Sequence, residues 1–239
     1  MKVKHSILLI KVSLIGWTYN AINEIELKGV KNKIIVLVGG TSDKSILEYS
    51  LAKIFPHLTD IFYFMDFEYA NSLKRQGGVD SIVNSIKSFA MSRLDAKFIA
   101  LFDNDTVGRF SREKVVFDMK TIPDNIKILS YPDLKQFKKY PTISTNGKIV
   151  LDNINGRACS IELYLPDKLL LDKTGKLSPI EWESRITSKI GTTTKQSYQG
   201  VISNKDSIKK KFVSYKSIPF VSNDWEKMRM LLESFLFVF

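Results

Sequence analysis

The sequence predicts an α/β protein: a four-stranded parallel sheet with helices on both faces, followed by a smaller α+β elaboration at the C-terminus. Three observations carry this. Short aliphatic runs alternate four times with helical patterns between Lys33 and Leu129, the pattern of βα units that close into a parallel sheet. The first and third runs end in turns rich in glycine or aspartate, "GGTSD" (39–43) and "DNDTVG" (103–108). After Pro132 the alternation loosens.

Each element has its own warrant. Lys33–Val38 is almost wholly aliphatic, as a strand buried on both faces must be. Asp43–Ile54 sets Ile46, Leu47, Leu51 and Ile54 on one helical face, with Thr41 or Ser42 as the expected cap. Ile61–Met65 reads as the second strand. Gly77-Gly78 opens a helix over Val79–Ser92, whose Val79, Ile82, Val83, Ile86 and Phe89 form the inner face. Lys97–Phe102 is the third strand, Arg112–Met119 a helix and Ile126–Leu129 the fourth strand. Beyond these, "YPDLKQFKKYPTISTNGK" (131–148) reads as loop with several lysines free for a ligand, and Pro179–Ile190 as a polar helix. "NKDSIKKKF" (204–212) reads as a basic helix and Trp225–Phe237 as an amphipathic one returning to the body. The expected organisation is an N-terminal extension (1–30) packed on the core, a core domain (31–130) and an elaboration (131–239) belonging to the same globular unit. No internal repeat or low-complexity tract appears.

Composition narrows the function. Among 239 residues, 36 Lys+Arg against 25 Asp+Glu give a net charge of +11. This favours a polyanionic partner, nucleic acid ahead of an anionic membrane, against the plainer reading of a solvated basic surface. A single cysteine, Cys159, rules out an intramolecular disulfide framework and suits a reducing cytoplasm. One cysteine with two histidines, His5 and His57, argues against a Cys/His zinc site. The apolar N-terminal stretch is interrupted by Lys11 and followed by no small-x-small cleavage site, so residues 6–18 read as a core strand or helix rather than a targeting signal. No run is long and apolar enough for a spanning helix, and no membrane partner is expected.

The chemistry concentrates at the two turns, because ligands of parallel α/β sheets bind at the carboxyl ends of the strands. Asp103 and Asp105 are two apart, so in extended backbone their carboxylates leave on the same side. Such a pair suits a hard divalent cation, magnesium above all; the plainer alternative is an Asp-rich turn bent by Asn104. Lys44-Ser45 hints at a phosphate-binding loop. However, Asp43 occupies the place of its last glycine and Val38 that of its first, and a carboxylate there repels phosphate. "LFDNDTV" also fits the D-x-D-x-T/V signature of haloacid-dehalogenase-like phosphatases. There the signature normally follows the first strand, and no second acidic pair follows here.

A third pattern accounts for both turns. "VGGTSDKSIL" (38–47) and "DNDTVG" (103–108) resemble the V-E-G-x-S/T-D-x-x-x-L and D-x-D-x-x-G motifs of the TOPRIM (topoisomerase–primase) domain, each at the expected strand end, over about residues 33–130. "QGGVDSIVNSI" (76–86) is similar to the helix start of nuclease-type members. "ACSIELYLP" (158–166) and "YQGVISNKDSIKKKF" (198–212) resemble later segments of defence-associated TOPRIM nucleases of the OLD (overcoming lysogenization defect) and HEPN-linked kinds. The resemblance implies a Rossmann-like TOPRIM core and a nuclease dependent on Mg²⁺ or Mn²⁺, acting on DNA or RNA in bacterial or phage defence. It implies catalytic roles for Asp43, Asp103, Asp105 and Lys205, and metal ligation by Asp103, Asp105 and Glu162. Glu162 on an exposed strand and Lys205 on a solvated face are the plainer readings. The implied partners are nucleic acid and an ATPase or HEPN-type protein, with homo-oligomers compatible. One departure stands out: Gly39 occupies the position of the first motif's glutamate, and glycine is neither base nor ligand. The domain is then a catalytically dead binder, or a neighbouring carboxylate such as Asp66 or Glu68 takes over, or the parent sequence carried glutamate.

Overall fold

The computed structural model describes residues 29–66, 78–92 and 94–239. The expected element at 6–18 and the residues Gly77 and Glu68 lie outside them. The core strands are β1 (Ile34–Leu37), β2 (Phe62–Met65), β3 (Lys97–Phe102) and β5 (Ile126–Ser130). They pair in parallel throughout, in the order β2-β1-β3-β5. This is the α/β architecture expected from the alternation.

Both faces of the sheet are buried, which explains the unbroken aliphatic runs. Ile35 and Leu37 of β1 point to one face with Phe98, Ala100 and Phe102 of β3. There they meet Ile82, Ile86 and Phe89 of helix α2 (Val79–Ser92) and Val115 of α3 (Thr106–Met119). Val36 and Val38 point to the other face, against Ile46, Leu47 and Leu51 of α1 (Thr41–Ile54). Helix α3 begins six residues before the expected Arg112. Helix α1 has Gly40 at its cap position with no side-chain cap, and Thr41 is its first residue, not its cap.

The C-terminal portion departs further from expectation. The stretch read as loop at 131–148 contains a one-turn 3₁₀ helix (Lys135–Lys139) and β6 (Tyr140–Ile143), with Leu134, Phe137 and Tyr140 buried. The segment read as a polar helix is β9 (Ile180–Ile190), which forms a long antiparallel hairpin with β10 (Thr193–Ile202). Its apolar residues Ile180, Trp182, Ile186 and Ile190 fall on even spacing, the period of a strand, and this outweighs the polar composition. With β7 (Ile149–Asp152) these strands make a second sheet in the order β10-β9-β6-β7. A two-residue ladder, β4 (Asn104–Asp105) with β8 (Ala158–Cys159), ties the elaboration to the end of β3.

Three helices follow expectation or extend it: α4 (Asp167–Leu170), the basic α5 (Lys205–Tyr215) and the amphipathic α6 (Glu226–Leu236). Helix α6 returns to the core face shared with α1. Its Met228, Leu231, Leu232 and Phe235 are fully buried, and the Phe235 ring sits edge-on to Phe62 (5.8 Å) and Phe64 (6.3 Å) of β2. Among the described residues no helix is long and apolar enough to cross a membrane.

Because α6 completes a face of the parallel sheet, the two parts should unfold together. Phe235→Ala is expected to cost about 3–5 kcal/mol, read by urea unfolding as a lower midpoint in one cooperative transition. Two separated transitions would show that residues 131–239 form an independent unit.

Candidate functional site

β1 and β3 are neighbours at the centre of the sheet, and the chain leaves them toward opposite faces, α1 on one and α3 on the other. Their carboxyl ends therefore flank the crevice at the point where the winding reverses. Both acidic turns open into this crevice.

The D-x-D-x-x-G turn is built for close approach. Asp105 caps α3, its Oδ1 accepting the Gly108 amide at 2.7 Å. A Cβ at Gly108 would lie 2.3 Å from the Asp103 carbonyl oxygen, so only glycine lets the helix start this near the strand end. Asn104 does not make the bend: it lies in the β4–β8 ladder and donates to Asp133 at 2.7 Å. The second oxygen of Asp105 accepts from Gln199 Nε2 at 2.8 Å, and Gln199 Oε1 accepts the Val107 amide at 3.1 Å. Gln199 reaches the site across from a bulge in β9. Tyr198 pairs with Arg185 but Gly200 with Trp182, so Gln199 opposes two residues and is re-aimed.

Four carboxylates gather here. Asp43, in the first turn of α1, is pushed up to about 6 by burial and by the charge of Glu162, against the opposing pull of Lys205 and Lys209. Asp103 is raised well above the usual carboxylate range by burial and by Asp43 and Asp105. Asp105 is also raised by burial, despite its hydrogen bonds from Gly108 and Gln199. Asp43 and Asp103 keep a solvent-facing edge, whereas Glu162 is fully buried. Glu162 lies in a 3₁₀ turn (Ile161–Tyr164), not on an exposed strand. Its Oε2 accepts from Ser160 at 2.7 Å and pairs with Lys205 at 3.3 Å; its Oε1 has the Lys209 ammonium at 3.6 Å and no hydrogen bond.

Lys205 is therefore not on a solvated face. Burial acts to lower its pKa, but Glu162, Asp103 and Asp43 overcome this and hold the ammonium charged. It sits at the first position of α5, where the helix dipole disfavours a cation. The acids compensate for that local penalty.

Sequence reasoning thus singled out Asp43, Asp103, Asp105, Glu162 and Lys205, and the fold brings these five together. It missed four others. Lys209 lies one helical turn after Lys205, a spacing that could have signalled it. Ser160, Gln199 and Tyr131 carried no local signal. The buried Tyr131 phenol is held protonated by burial and by the nearby charges of Asp103, Asp43 and Glu162. Asp66, at the end of β2, is not among the charges that dominate Asp43, Asp103 or Asp105.

Gly39 belongs to the site by direction. Its backbone is outside the left-handed region, and a Cβ there would lie 3.1 Å from Asp43 Oδ2, the movable end of a side chain. The backbone does not require glycine at 39, and a side chain there would point among the acids.

Among the described residues, no three His, Cys, Asp or Glu side chains form a ready metal cage. The donor set nevertheless fits a hard divalent cation held by two carboxylates. Asp43 and Asp103 are partly solvent-facing oxygen donors whose mutual repulsion a cation would relieve, and magnesium commonly takes one or two carboxylates plus waters and substrate phosphate. Glu162, engaged by two lysines and Ser160, and Asp105, hydrogen-bonded through both oxygens, are better placed to orient than to ligate.

The raised acids cost stability at neutral pH. For a carboxyl raised from 3.8 to about 6, stability is fully present below about pH 3.8 and is lost as pH rises through 6. Asp43→Asn is therefore expected to stabilise the protein at pH 7.5 by on the order of 2 kcal/mol, with the gain vanishing below pH 4. Thermal melts across that range test it; equal gains at both pH values would contradict the assignment.

No family model, curated protein or solved structure matches this chain.

Proposed function

We propose that the protein is a nucleic-acid phosphodiester nuclease of TOPRIM type, dependent on Mg²⁺ or Mn²⁺ and impaired by Gly39. The observation that carries this reading is the convergence of Asp43, Asp103, Asp105 and Glu162 with Lys205 and Lys209 at the carboxyl ends of two adjacent parallel strands. A net charge of +11 supports a polyanionic substrate. A defence role accompanies the reading by resemblance, and the single Cys159 suits a cytoplasmic setting.

In this reading Asp43 and Asp103 hold the cation, which when bound polarises the scissile phosphate. Asp105 and Gln199 fix the turn that presents Asp103. Lys205 supplies positive charge to the phosphate oxygens as negative charge develops on them. Glu162 holds the two ammonium groups in position within the crevice. The acid missing at Gly39 is the one that would accept a proton from the attacking nucleophile, a loss worth roughly two to four orders of magnitude in rate.

Two observations favour a second reading, a non-catalytic nucleic-acid-binding or regulatory module acting with an ATPase partner. Lys205 and Lys209 already offset part of the acid charge, and position 39 offers no base.

The two separate in one assay, with supercoiled DNA and structured RNA at pH 7.5 in Mg²⁺ or Mn²⁺. Gly39→Glu is expected to raise cleavage by roughly 10²–10⁴-fold, and Asp103→Ala in that background to remove the gain. Without the cation, Gly39→Glu should also lower the melting temperature, since it adds an acid beside Asp43, and the cation should restore it. If natural and substituted chains both bind nucleic acid in a salt-sensitive manner but neither cuts, the binding reading replaces the nuclease. Cleavage that survives Asp103→Ala with Asp105→Ala sinks the site assignment.

A further inference from the structure

β7 is an open edge. Among the described residues its only strand neighbour is β6, with which it pairs Tyr140↔Asp152, Pro141↔Leu151, Thr142↔Val150 and Ile143↔Ile149. Three consecutive apolar residues on it are exposed: Ile149 (59%), Val150 (45%) and Leu151 (64%). Natural edge strands are usually blunted by proline, bulges or inward charges, because unpaired amides and carbonyls invite another strand. β7 has no proline and no register shift against β6.

We propose that β7 pairs antiparallel with β7 of a second copy of this chain, across a two-fold axis at Val150. The backbone phase permits this. Ser144 N donates to Lys148 O at 2.9 Å across the β6–β7 turn, so residue 148 directs its backbone groups toward β6. By alternation Val150 and Asp152 do the same, while Ile149 and Leu151 turn their amides and carbonyls to the open edge. With Val150 opposite Val150 of the second copy, Ile149 faces Leu151 in both directions, and each such pair exchanges two backbone hydrogen bonds. Val150 then forms the close pair without backbone bonds at the axis.

The sequence selects this register. In "KIVLD" (148–152), Lys148 falls opposite Asp152 of the second copy and Asp152 opposite its Lys148, where that lysine would join the Arg157 guanidinium that already pairs with Asp152 at 3.2 Å. These are opposite charges on the face that carries Val150, while Ile149 and Leu151 pair on the other face. The interface is isologous and closed, as a two-fold dimer requires. Pairing in the neighbouring registers sets Lys148 or Asp152 opposite uncharged residues. The two sheets would join into one of eight strands.

Disulfide trapping on the 239-residue chain tests the register. Non-hydrogen-bonded antiparallel partners approach within disulfide reach, and the natural Cys159 is buried. Under mild oxidation at physiological salt, Val150→Cys is expected to yield a covalent dimer as the main species. Ile149→Cys and Leu151→Cys, whose direct partners are not themselves, should remain largely monomeric. In the Val150→Cys background, Lys148→Asp should cut the dimer yield several-fold, whereas Lys148→Arg should leave it unchanged. A monomeric Val150→Cys chain overturns the proposal. So do equal yields at 149, 150 and 151, which signal random collision, and a Lys148→Asp chain that traps as fully as Val150→Cys alone. This inference stands apart from the nuclease reading, since trapping needs no cleavage.

Discussion

Carboxylates gathered at one end of a parallel sheet cannot all stay charged unless something positive is set among them, and much of this structure answers that constraint. Asp43 and Asp103 come from the two central strand ends, where the winding of the sheet forces their segments into one crevice. The balancing charge comes from far along the chain, Lys205 and Lys209 on α5, both paired with Glu162. The elaboration after Ser130 is thus tied to the core twice. It is tied electrostatically through the acids, and by packing through α6, which closes the sheet face beside α1.

How far this was legible in the sequence follows from how local each feature is. The four parallel strands were readable because burial on both faces leaves unbroken aliphatic runs. Asp103 and Asp105 were readable because their positions depend only on a strand end and on a glycine that must sit against the Asp103 carbonyl, whereas Asp43 gained its role only through the resemblance. Glu162 and Lys205 came from resemblance alone, since no local pattern reports that a 3₁₀ turn at 161–164 and a helix start at 205 will meet. Gln199 was beyond reach: it depends on a bulge in a hairpin that was itself misread. The polar composition of 180–190 suggested a helix, while its two-residue period carried the true signal.

The hairpin shows why such errors matter for a site. Its stem does not touch the acids through an obvious motif; it presents one amide side chain to Asp105 and one carbonyl to Thr106. Gly200 allows this, because a Cβ there would collide with Ala158, Ile180 and Trp182. Polar support for a charged crevice can thus come from a strand whose sequence looks unremarkable.

Three species can offset the acid charge: the built-in lysines, protons and an added cation. They are not equivalent. The lysines reach Glu162 directly and Asp43 and Asp103 at longer range, so the latter two retain raised pKa values despite them. A proton relieves one acid at a time and removes a ligand as it does so. A divalent cation held by both solvent-facing acids would relieve them at once and would leave the Lys205–Glu162 pair in place beside them. The arrangement therefore divides the crevice into a buried half, neutralised from within, and an outer half whose remaining charge only something from solution can balance. Position 39 borders that outer half, beside Asp43, which is why a single side chain there bears so heavily on what the crevice can do.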